Sequence, residues 1–203
     1  RSTPKPSSAA SDVYKRQIPN MRVLLPADSV AVSKLTWVIA QQYGPFYMRM
    51  CRSKIPIVHN DSQEFQIGKA ITVRDGSDCT IAACGITVKM ALDAANLLNQ
   101  DGISCRVVDC FSIKPIDKEL LEKAARETGA IVTCEEHNVM GGFGSAVSEV
   151  ISESYPVPIR RIGVQDKFGE SARDNEISQL LEKHGLTPIN ITNMVKEARS
   201  QKQ

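Results

Sequence analysis

The chain has 203 residues, of which 42% are hydrophobic and 24% are charged, and its formal net charge at pH 7 is +2. This composition is typical of a folded globular protein long enough for one domain and part of another. A near-neutral charge, without a basic stripe interleaved with aromatic residues, gives no support for a nucleic acid or an anionic membrane as partner. No apolar run approaches the roughly 20 residues of a membrane-spanning helix, so the sequence predicts no membrane span.

The first seventeen residues differ in character from the rest. They are rich in Ser, Pro, Ala and basic residues and show almost no apolar periodicity, so they cannot bury enough surface to become ordered. A targeting peptide is the functional alternative, but position 1 is not Met, the stretch has no apolar core, and Asp12 adds an acidic residue. We therefore predict that residues 1–17 are a non-native, disordered tail.

The stretch 18–56 is predicted to form a strand, a helix and a second strand. Arg22–Ala27 is a short apolar run, Asp28 is a favourable N-cap, and Gly44 ends the helix that follows. A unit of about 35 residues buries too little apolar surface to offset its chain entropy. We interpret 18–56 as the truncated end of a domain whose remainder comes from missing sequence or from a partner.

Two arginines, Arg49 and Arg52, emerge where the second of these strands ends. Guanidinium groups suit a phosphate, because their planar donors match its oxygens. Strand residues three apart leave opposite faces, so at most one of the two points into a site built there, unless the chain bends. Arg52 is the better candidate, because the strand end and Pro56 free its neighbourhood from a sheet. From spacing alone, a pair of surface arginines without a ligand is the competing interpretation.

Residues 57–77 are predicted to hold a linker and a leading strand, and residues 78–203 a second, nearly complete domain. The leading strand is the alternating run Phe65–Val73, followed by the turn Asp75-Gly76. Strands then alternate with helices of about a dozen residues, which indicates an α/β fold in three layers, with a mostly parallel sheet covered on both faces. The predicted strands are 79–84, 104–109, 130–135 and 158–164, and the predicted helices are 87–99, 117–128, 144–153, 174–184 and 192–199.

Two further candidate sites follow the third of these parallel strands. Glu135, Glu136 and His137 lie at its carboxyl end, where open α/β sheets place ligands, and could perform acid and base chemistry. Adjacent strand residues point to opposite faces, so a helix cap or an interface is the favoured role for the carboxylates. The Gly141–Gly144 turn could hold an anion or an effector on free backbone N–H groups at a helix start, with a purely structural turn as the alternative.

The six cysteines form no Cys-x-x-Cys pair, and three of them lie in apolar, strand-like runs. We interpret them as reduced core residues of a cytoplasmic protein. Their spacings fit no usual zinc pattern, and His59, His137 and His184 stand far apart in the sequence, so no metal site is predicted.

Three motifs resemble transketolases, the thiamine diphosphate enzymes that transfer two-carbon ketol units between phosphorylated sugars. The motifs are Cys51–Pro56, Phe111–Asp117, and the Glu-Glu pair followed by a Gly-Gly-x-Gly turn. The resemblance covers nearly the whole chain after residue 17. It implies that 18–56 closes a thiamine-pyrimidine domain as a partial βαβ remnant, and that 78–203 is the carboxy-terminal domain.

The resemblance also implies which residues bind substrate. The arginine of the first motif binds the phosphate of the sugar, so this role extends directly to Arg52 and only weakly to Arg49. In the family, the ligands of thiamine diphosphate and Mg²⁺ and the activating glutamate lie before the point that matches Ile18. We therefore expect no catalytic, cofactor-binding or metal-binding residue in this chain, and no turnover by the chain alone.

The resemblance implies a cytoplasmic transferase of carbohydrate metabolism, in the pentose phosphate pathway, whose partner is the missing amino-terminal section or subunit in a homodimer or heterotetramer. Deoxyxylulose phosphate synthases and the β subunits of 2-oxo acid dehydrogenases share the domain order and remain alternatives. A third alternative is a non-catalytic module for dimerisation or effector binding. The stretch from Ile18 to Arg52 argues against that module, because alone it would expose an unfinished sheet to water.

Overall fold

The structure is a computed structural model, and it describes residues 14–51, 54–167 and 176–202. None of the helices in these ranges is long and apolar enough to cross a membrane. The strands, in chain order, are β1 (Arg22–Leu24), β2 (Phe46–Met48), β3 (Ile71–Arg74), β4 (Cys79–Ala83), β5 (Cys105–Asp109), β6 (Ser112–Lys114), β7 (Ile131–Asn138) and β8 (Ile159–Val164). The helices are α1 (Ser29–Ala40), α2 (Thr87–Gln100), α3 (Lys118–Thr128), α4 (Phe143–Ser154), α5 (Ile177–Lys183) and α6 (Pro188–Ser200).

The main sheet has five strands in the order β3-β5-β4-β7-β8. All of them are parallel except β3, which pairs antiparallel with β5 at one edge. Because successive strand residues face opposite sides, Ile81 joins a core with α2 and α6, while Ala82 joins a second core with α3 and α4. These two cores on either side of one sheet confirm the predicted three-layer, mostly parallel α/β fold.

Local signals set the helix ends. The side chain of Asp28 accepts a hydrogen bond from the N–H of Ala31 (2.8 Å) at the start of α1. Asp117 likewise accepts from the N–H of Leu120 (3.1 Å) at the start of α3. Helix α3 ends at Gly129, whose φ of +66° is favourable for glycine. Both predicted aspartate caps are confirmed.

A second, three-stranded sheet joins the first part of the chain to the rest. Its order is β2-β1-β6, with β1 parallel to β2 and antiparallel to β6. The sequence predicted only a connection where β6 lies, because a three-residue strand whose partner is far away in the chain leaves no local pattern. Leu24, Leu35, Phe65 and Phe111 form a core under this sheet. Leu24 and Leu35 of the first part are therefore buried against residues of the second.

Several element boundaries differ from the sequence prediction. Helix α6 begins at Pro188 rather than at 192, and the predicted start of α5 at 174 lies outside the described residues. The leading strand is Ile71–Arg74 rather than Phe65–Val73, because residues 65–70 pack as a loop that places Phe65 in the core of the small sheet. Strand β7 continues to Asn138 rather than ending at 135. As a result, the glutamate pair and the histidine after it lie inside a strand.

Lys15 and Arg16 of the predicted tail contact the folded chain, whereas residues 1–13 lie outside the described ranges. Arg16 forms an ion pair with Glu149 (2.7 Å), and the ammonium of Lys114 donates a hydrogen bond to the carbonyl of Arg16 (2.9 Å). The non-native origin of 1–17 and the domain boundaries remain predictions.

Candidate functional site

The candidate site lies where the carboxyl edge of the main sheet meets the small sheet. Strands β5 and β4 end there beside β7, with Ala83 paired to both Asp109 and Cys134, and β7 continues four residues further to Asn138. Asp109 at the end of β5, Gly85 just beyond β4, and Glu136 within β7 each contact the stretch of chain between Leu25 and His59.

Arg49 follows β2, and its guanidinium forms an ion pair with the carboxylate of Glu136 in β7. The backbone N–H of Arg49 donates to the carbonyl of Leu24 (3.0 Å), which holds the residue at the end of the small sheet. The two side chains are only 15% and 18% exposed, so little water screens their attraction. Arg52, the stronger phosphate candidate, lies outside the described residues. The charge of Arg49 is therefore already engaged by a carboxylate of the same chain.

Glu135 points to the opposite side of β7 from Glu136 and caps helix α4. Its carboxylate accepts hydrogen bonds from the backbone N–H groups of Phe143 (2.6 Å) and Gly144 (2.8 Å), and it lies 3.0 Å from Nδ1 of His137. The glutamate is fully buried. The helix N-terminus, which the sequence suggested as an anion site, is thus occupied by the carboxylate of Glu135. The predicted capping role is confirmed.

The glycine turn exists because the chain passes too close to this carboxylate for a side chain. A Cβ on Gly142 would lie 2.2 Å from Glu135 Oε2 and 2.7 Å from the carbonyl oxygen of Asn138. A Cβ on Gly144 would lie 2.8 Å from Glu135 Oε1 and 2.6 Å from Thr133 Oγ1. Glycine is required at both positions for close approach, which agrees with the structural interpretation of the turn.

Asp28 fixes the start of the linker as well as the start of α1. Its second carboxylate oxygen accepts hydrogen bonds from the N–H groups of Val58 (2.7 Å) and His59 (2.8 Å). Burial opposes ionisation of this carboxyl, but the hydrogen bonds from Ala31, His59 and Val58 hold its pKa below the usual value. An ionised Asp28 thus ties the linker to the helix.

His59 and Asp109 form a buried pair that the sequence did not reveal. Nε2 of His59 lies 2.8 Å from Oδ2 of Asp109, and the imidazole packs edge-on against Phe65, with ring centroids 5.1 Å apart. Burial raises the pKa of Asp109 to about 6, although the hydrogen bond from His59 opposes part of this rise. Within the described residues, the other oxygen of Asp109 has no hydrogen-bond partner. One feature of the sequence could have indicated this pair: an aspartate at the end of an apolar strand, because a carboxylate buried there needs a hydrogen-bond partner.

A cavity of about 540 Å³ lies between the start of α1 and the chain after β2. Its walls include Ser29, Met50, Cys51, Lys54 and Ile57. The cavity wall thus contains the residues on either side of positions 52 and 53, and we define it as the α1 cavity.

The described residues do not fit thiamine diphosphate or Mg²⁺. In the parts of the chain that the structure describes, no three His, Cys, Asp or Glu side chains are grouped to hold a metal ion. The helix start at Gly141–Gly144, the natural cradle for a diphosphate, is filled by Glu135. No catalytic step through either group can be assigned to these residues.

Residues 68–191 match the protein family described as transketolase, C-terminal domain. The chain is 44% identical over 163 residues to one subunit of the apulose-4-phosphate transketolase of Phocaeicola vulgatus, an alignment that covers 80% of this chain and 52% of that protein. It is 40% identical over 187 residues to the 6-deoxy-6-sulfo-D-fructose transketolase subunit SqwH of a Clostridium species, with 92% and 57% covered. A 1-deoxy-D-xylulose-5-phosphate synthase of Heliobacterium modesticaldum is 37% identical over 187 residues, which cover 91% of this chain but only 28% of the synthase.

A solved structure, described as a split-gene transketolase in an inactive β4 tetramer, is similar with a TM-score of 0.90 and 44% sequence identity. The alignment covers 96% of this chain and 62% of that one. The chain therefore spans about half the length of the first two relatives. Since the family match extends over more than half of the chain and includes the whole main sheet, the chain belongs to the transketolase family.

Proposed function

We propose that this chain is the carboxy-terminal section or subunit of a thiamine diphosphate-dependent transketolase that transfers two-carbon ketol units between phosphorylated sugars. The supporting observation is the similarity of 96% of the chain, at 44% identity, to a split-gene transketolase. This chain spans about half of two relatives that are themselves named as transketolase subunits, so the complete enzyme in this proposal includes further sequence, which brings the cofactor ligands.

In the complete enzyme this chain binds and positions the substrate. Arg52 binds the phosphate of the sugar, and Arg49 contributes less because Glu136 already engages its guanidinium. Thiamine diphosphate, held with Mg²⁺ by the other section, supplies the electron sink for the transferred ketol carbon when bound. Binding alone cannot cleave a carbon–carbon bond, so the chain by itself has no transferase activity.

The substrate is a sugar with a negatively charged end. One relative is named for apulose 4-phosphate and another for 6-deoxy-6-sulfo-D-fructose, so both named sugars carry an anionic group. A guanidinium suits either anion. Because the two sugars differ, we propose phosphorylated sugars as the class and pentose phosphates, as in the pentose phosphate pathway, as the first compounds to assay.

The partner is an amino-terminal section or subunit, assembled with this chain as a homodimer or heterotetramer. Trp37 in α1 and Tyr43, three residues after α1, are 69% and 100% exposed, which supports a partner surface there. The split-gene transketolase similar to this chain is described as an inactive β4 tetramer, which supports inactivity of this chain alone. All six cysteines are free thiols, in keeping with a cytoplasmic location.

The assay is ketol transfer by the complete enzyme: a carboxy-terminal subunit that contains this sequence together with the rest of the thiamine-pyrimidine domain, purified after co-expression with an amino-terminal transketolase subunit. We expect transfer from xylulose 5-phosphate to ribose 5-phosphate only when both subunits, thiamine diphosphate and Mg²⁺ are present. Each of the two subunits on its own is the control. Condensation of pyruvate with glyceraldehyde 3-phosphate would instead identify a deoxyxylulose phosphate synthase. Oxidative decarboxylation of a 2-oxo acid would identify a dehydrogenase, and association without any of these reactions would indicate a non-catalytic module.

A further inference from the structure

The carboxyl edge of the main sheet is used for docking rather than left open to a ligand. Open α/β sheets commonly bind ligands at this edge. Here, Asp109 ends β5 and pairs with His59, the N–H of Gly85 beyond β4 donates to the carbonyl of Leu25 (3.2 Å), and Glu136 in β7 pairs with Arg49. Three neighbouring strands therefore hold the chain that comes from the small sheet.

The two side-chain contacts lie on either side of the α1 cavity along the chain. Arg49 directly precedes Met50 and Cys51, and His59 comes two residues after Ile57; these three neighbours line the cavity. Asp28, on the wall formed by α1, also receives the N–H groups of Val58 and His59. One wall of the cavity is thus held at its two ends by Glu136 and Asp109, which lie outside the cavity wall, and also by Asp28, which lines it.

We propose that Glu136 and Asp109 are positioning residues of the complete enzyme, which hold Arg49 and His59 and thereby fix both ends of the α1 cavity wall for the substrate. Neither carboxylate contacts the substrate in this role. The kinetic consequence depends on the proposed function, because it assumes that the α1 cavity receives the phosphorylated end of the sugar.

The strength of these contacts follows from their burial. The Arg49 and Glu136 side chains are each less than one-fifth exposed, and those of His59 and Asp109 are almost fully buried. The Arg49–Glu136 ion pair, removed from water, resists separation, because either partner alone would be left poorly solvated. The buried hydrogen bond between His59 and Asp109 would likewise leave a polar group without a partner if it were broken. Replacing Glu136 by glutamine keeps the shape and removes the charge, so Arg49 would turn towards solvent and the adjacent cavity wall would loosen.

The experiment compares Glu136→Gln with Glu197→Gln in the complete enzyme. Glu197 pairs with Arg160 (2.7 Å) at the amino-terminal end of β8, whereas the cavity lies at the carboxyl edge of the sheet. The control therefore removes an ion pair far from the cavity. Two quantities are measured: kcat and KM with ribose 5-phosphate and with ribose as acceptors, and amide hydrogen exchange of the peptides that cover 45–51 and 54–60. Asp109→Asn is measured in the same way.

For Glu136→Gln we expect a KM for ribose 5-phosphate raised about tenfold, which corresponds to roughly 1.4 kcal/mol, with kcat and the KM for ribose nearly unchanged. Exchange should be faster in 45–51, whereas Asp109→Asn should accelerate exchange in 54–60. The exchanged pair Arg49→Glu with Glu136→Arg should restore both the KM and slow exchange. Glu197→Gln should behave as the wild type.

Three results would overturn the proposal. They are exchange and KM values for Glu136→Gln that match Glu197→Gln, an equal rise in KM for both acceptors, and failure of the exchanged pair to restore the KM. The last would mean that the Arg49 side chain itself, and not the position of the cavity wall, determines the KM. If the wild-type complex catalyses no ketol transfer, the proposed function fails, and unchanged exchange in Glu136→Gln then overturns the positioning role independently.

Discussion

Two adjacent glutamates perform different tasks because they lie in a strand. Glu135 points towards α4 and receives two backbone N–H groups, whereas Glu136 points away from it and receives the guanidinium of Arg49. Side chains alternate along a strand, so one substrate could not meet both carboxylates. Both are held by the fold, and the predicted capping role is confirmed for Glu135.

Substitution of Arg52 tests the proposed binding of the sugar phosphate most directly. In the complete enzyme, we expect Arg52→Ala to raise the KM for ribose 5-phosphate about 10- to 100-fold and to leave the KM for ribose nearly unchanged. The reason is that a charge-assisted hydrogen bond to phosphate is worth roughly 1.5–3 kcal/mol, and only the phosphorylated sugar forms it. Steady-state kinetics with both acceptors gives the result, with Arg160→Ala as control. Equal effects on the two sugars would refute phosphate binding by this residue.

Asp109 makes the stability of the chain depend on pH. Burial raises its pKa in the folded state from 3.8 to about 6, with Asp28 adding to the rise and His59 opposing it. The folded state therefore holds the proton more tightly than the unfolded state. The associated stability is fully present below about pH 4 and is lost as the pH rises through about 6.

The variant Asp109→Asn separates this contribution from other titrations. We expect the free energy of unfolding of the wild type, relative to Asp109→Asn, to fall by roughly 1–3 kcal/mol between about pH 4 and pH 7. Urea unfolding at several pH values measures the difference. Parallel stability profiles, or a difference that grows with pH, would contradict the raised pKa.

At the scale of elements, helix α4 depends on a carboxylate from the strand before it. The first N–H groups of a helix lack partners within the helix. Here two of them donate hydrogen bonds to the buried carboxylate of Glu135. The glycines give that carboxylate room. The turn is thus part of a cap that spans β7, the loop and α4.

We expect Gly142→Ala to lower the free energy of unfolding by about 2–4 kcal/mol, because the new methyl group would overlap Glu135 and the backbone of Asn138. Gly102→Ala is the matched control, since its Cβ would meet nothing within 4 Å and only its φ of +73° is unfavourable. That control should cost about 1 kcal/mol. Chemical denaturation of both variants tests the difference. Equal losses would mean that the neighbours of Gly142 can give way to a methyl group, so that close approach does not determine the glycine.

The elements that the sequence predicted well are those with local signals. Asp117 and Gly129 mark the ends of α3, and apolar runs mark the parallel strands. Both signals depend only on residues that are close together in the sequence. Strand β6 and the His59–Asp109 pair were missed, since each depends on a partner far away in the chain. The Glu136–Arg49 pair was missed for the same reason. Alternation of side chains along the strand showed that Glu136 faces away from Glu135, but it could not identify Arg49 as the partner.

At the scale of the whole molecule, the two sheets interlock. Strand β6 belongs to the small sheet, although it lies in the chain between β5 and α3 of the large domain. The N–H of Leu25 also donates to the carbonyl of Phe111 (2.8 Å), directly before β6. The stretch predicted to be too small for a core of its own therefore shares one with its neighbour, and the two parts should lose their structure together.

Helix α1 offers a matched pair of substitutions that tests this coupling. Leu35 is fully buried in the shared core, whereas Trp37 on the same helix is 69% exposed. We expect calorimetry of the wild-type chain to give one transition, with equal van't Hoff and calorimetric enthalpies. Leu35→Ala should move that entire transition to lower temperature, by about 2–5 kcal/mol of stability, while Trp37→Ala should change it by less than about 0.5 kcal/mol. Two transitions, of which only one responds to Leu35→Ala, would mean that the first part of the chain and the large domain fold independently and only then associate.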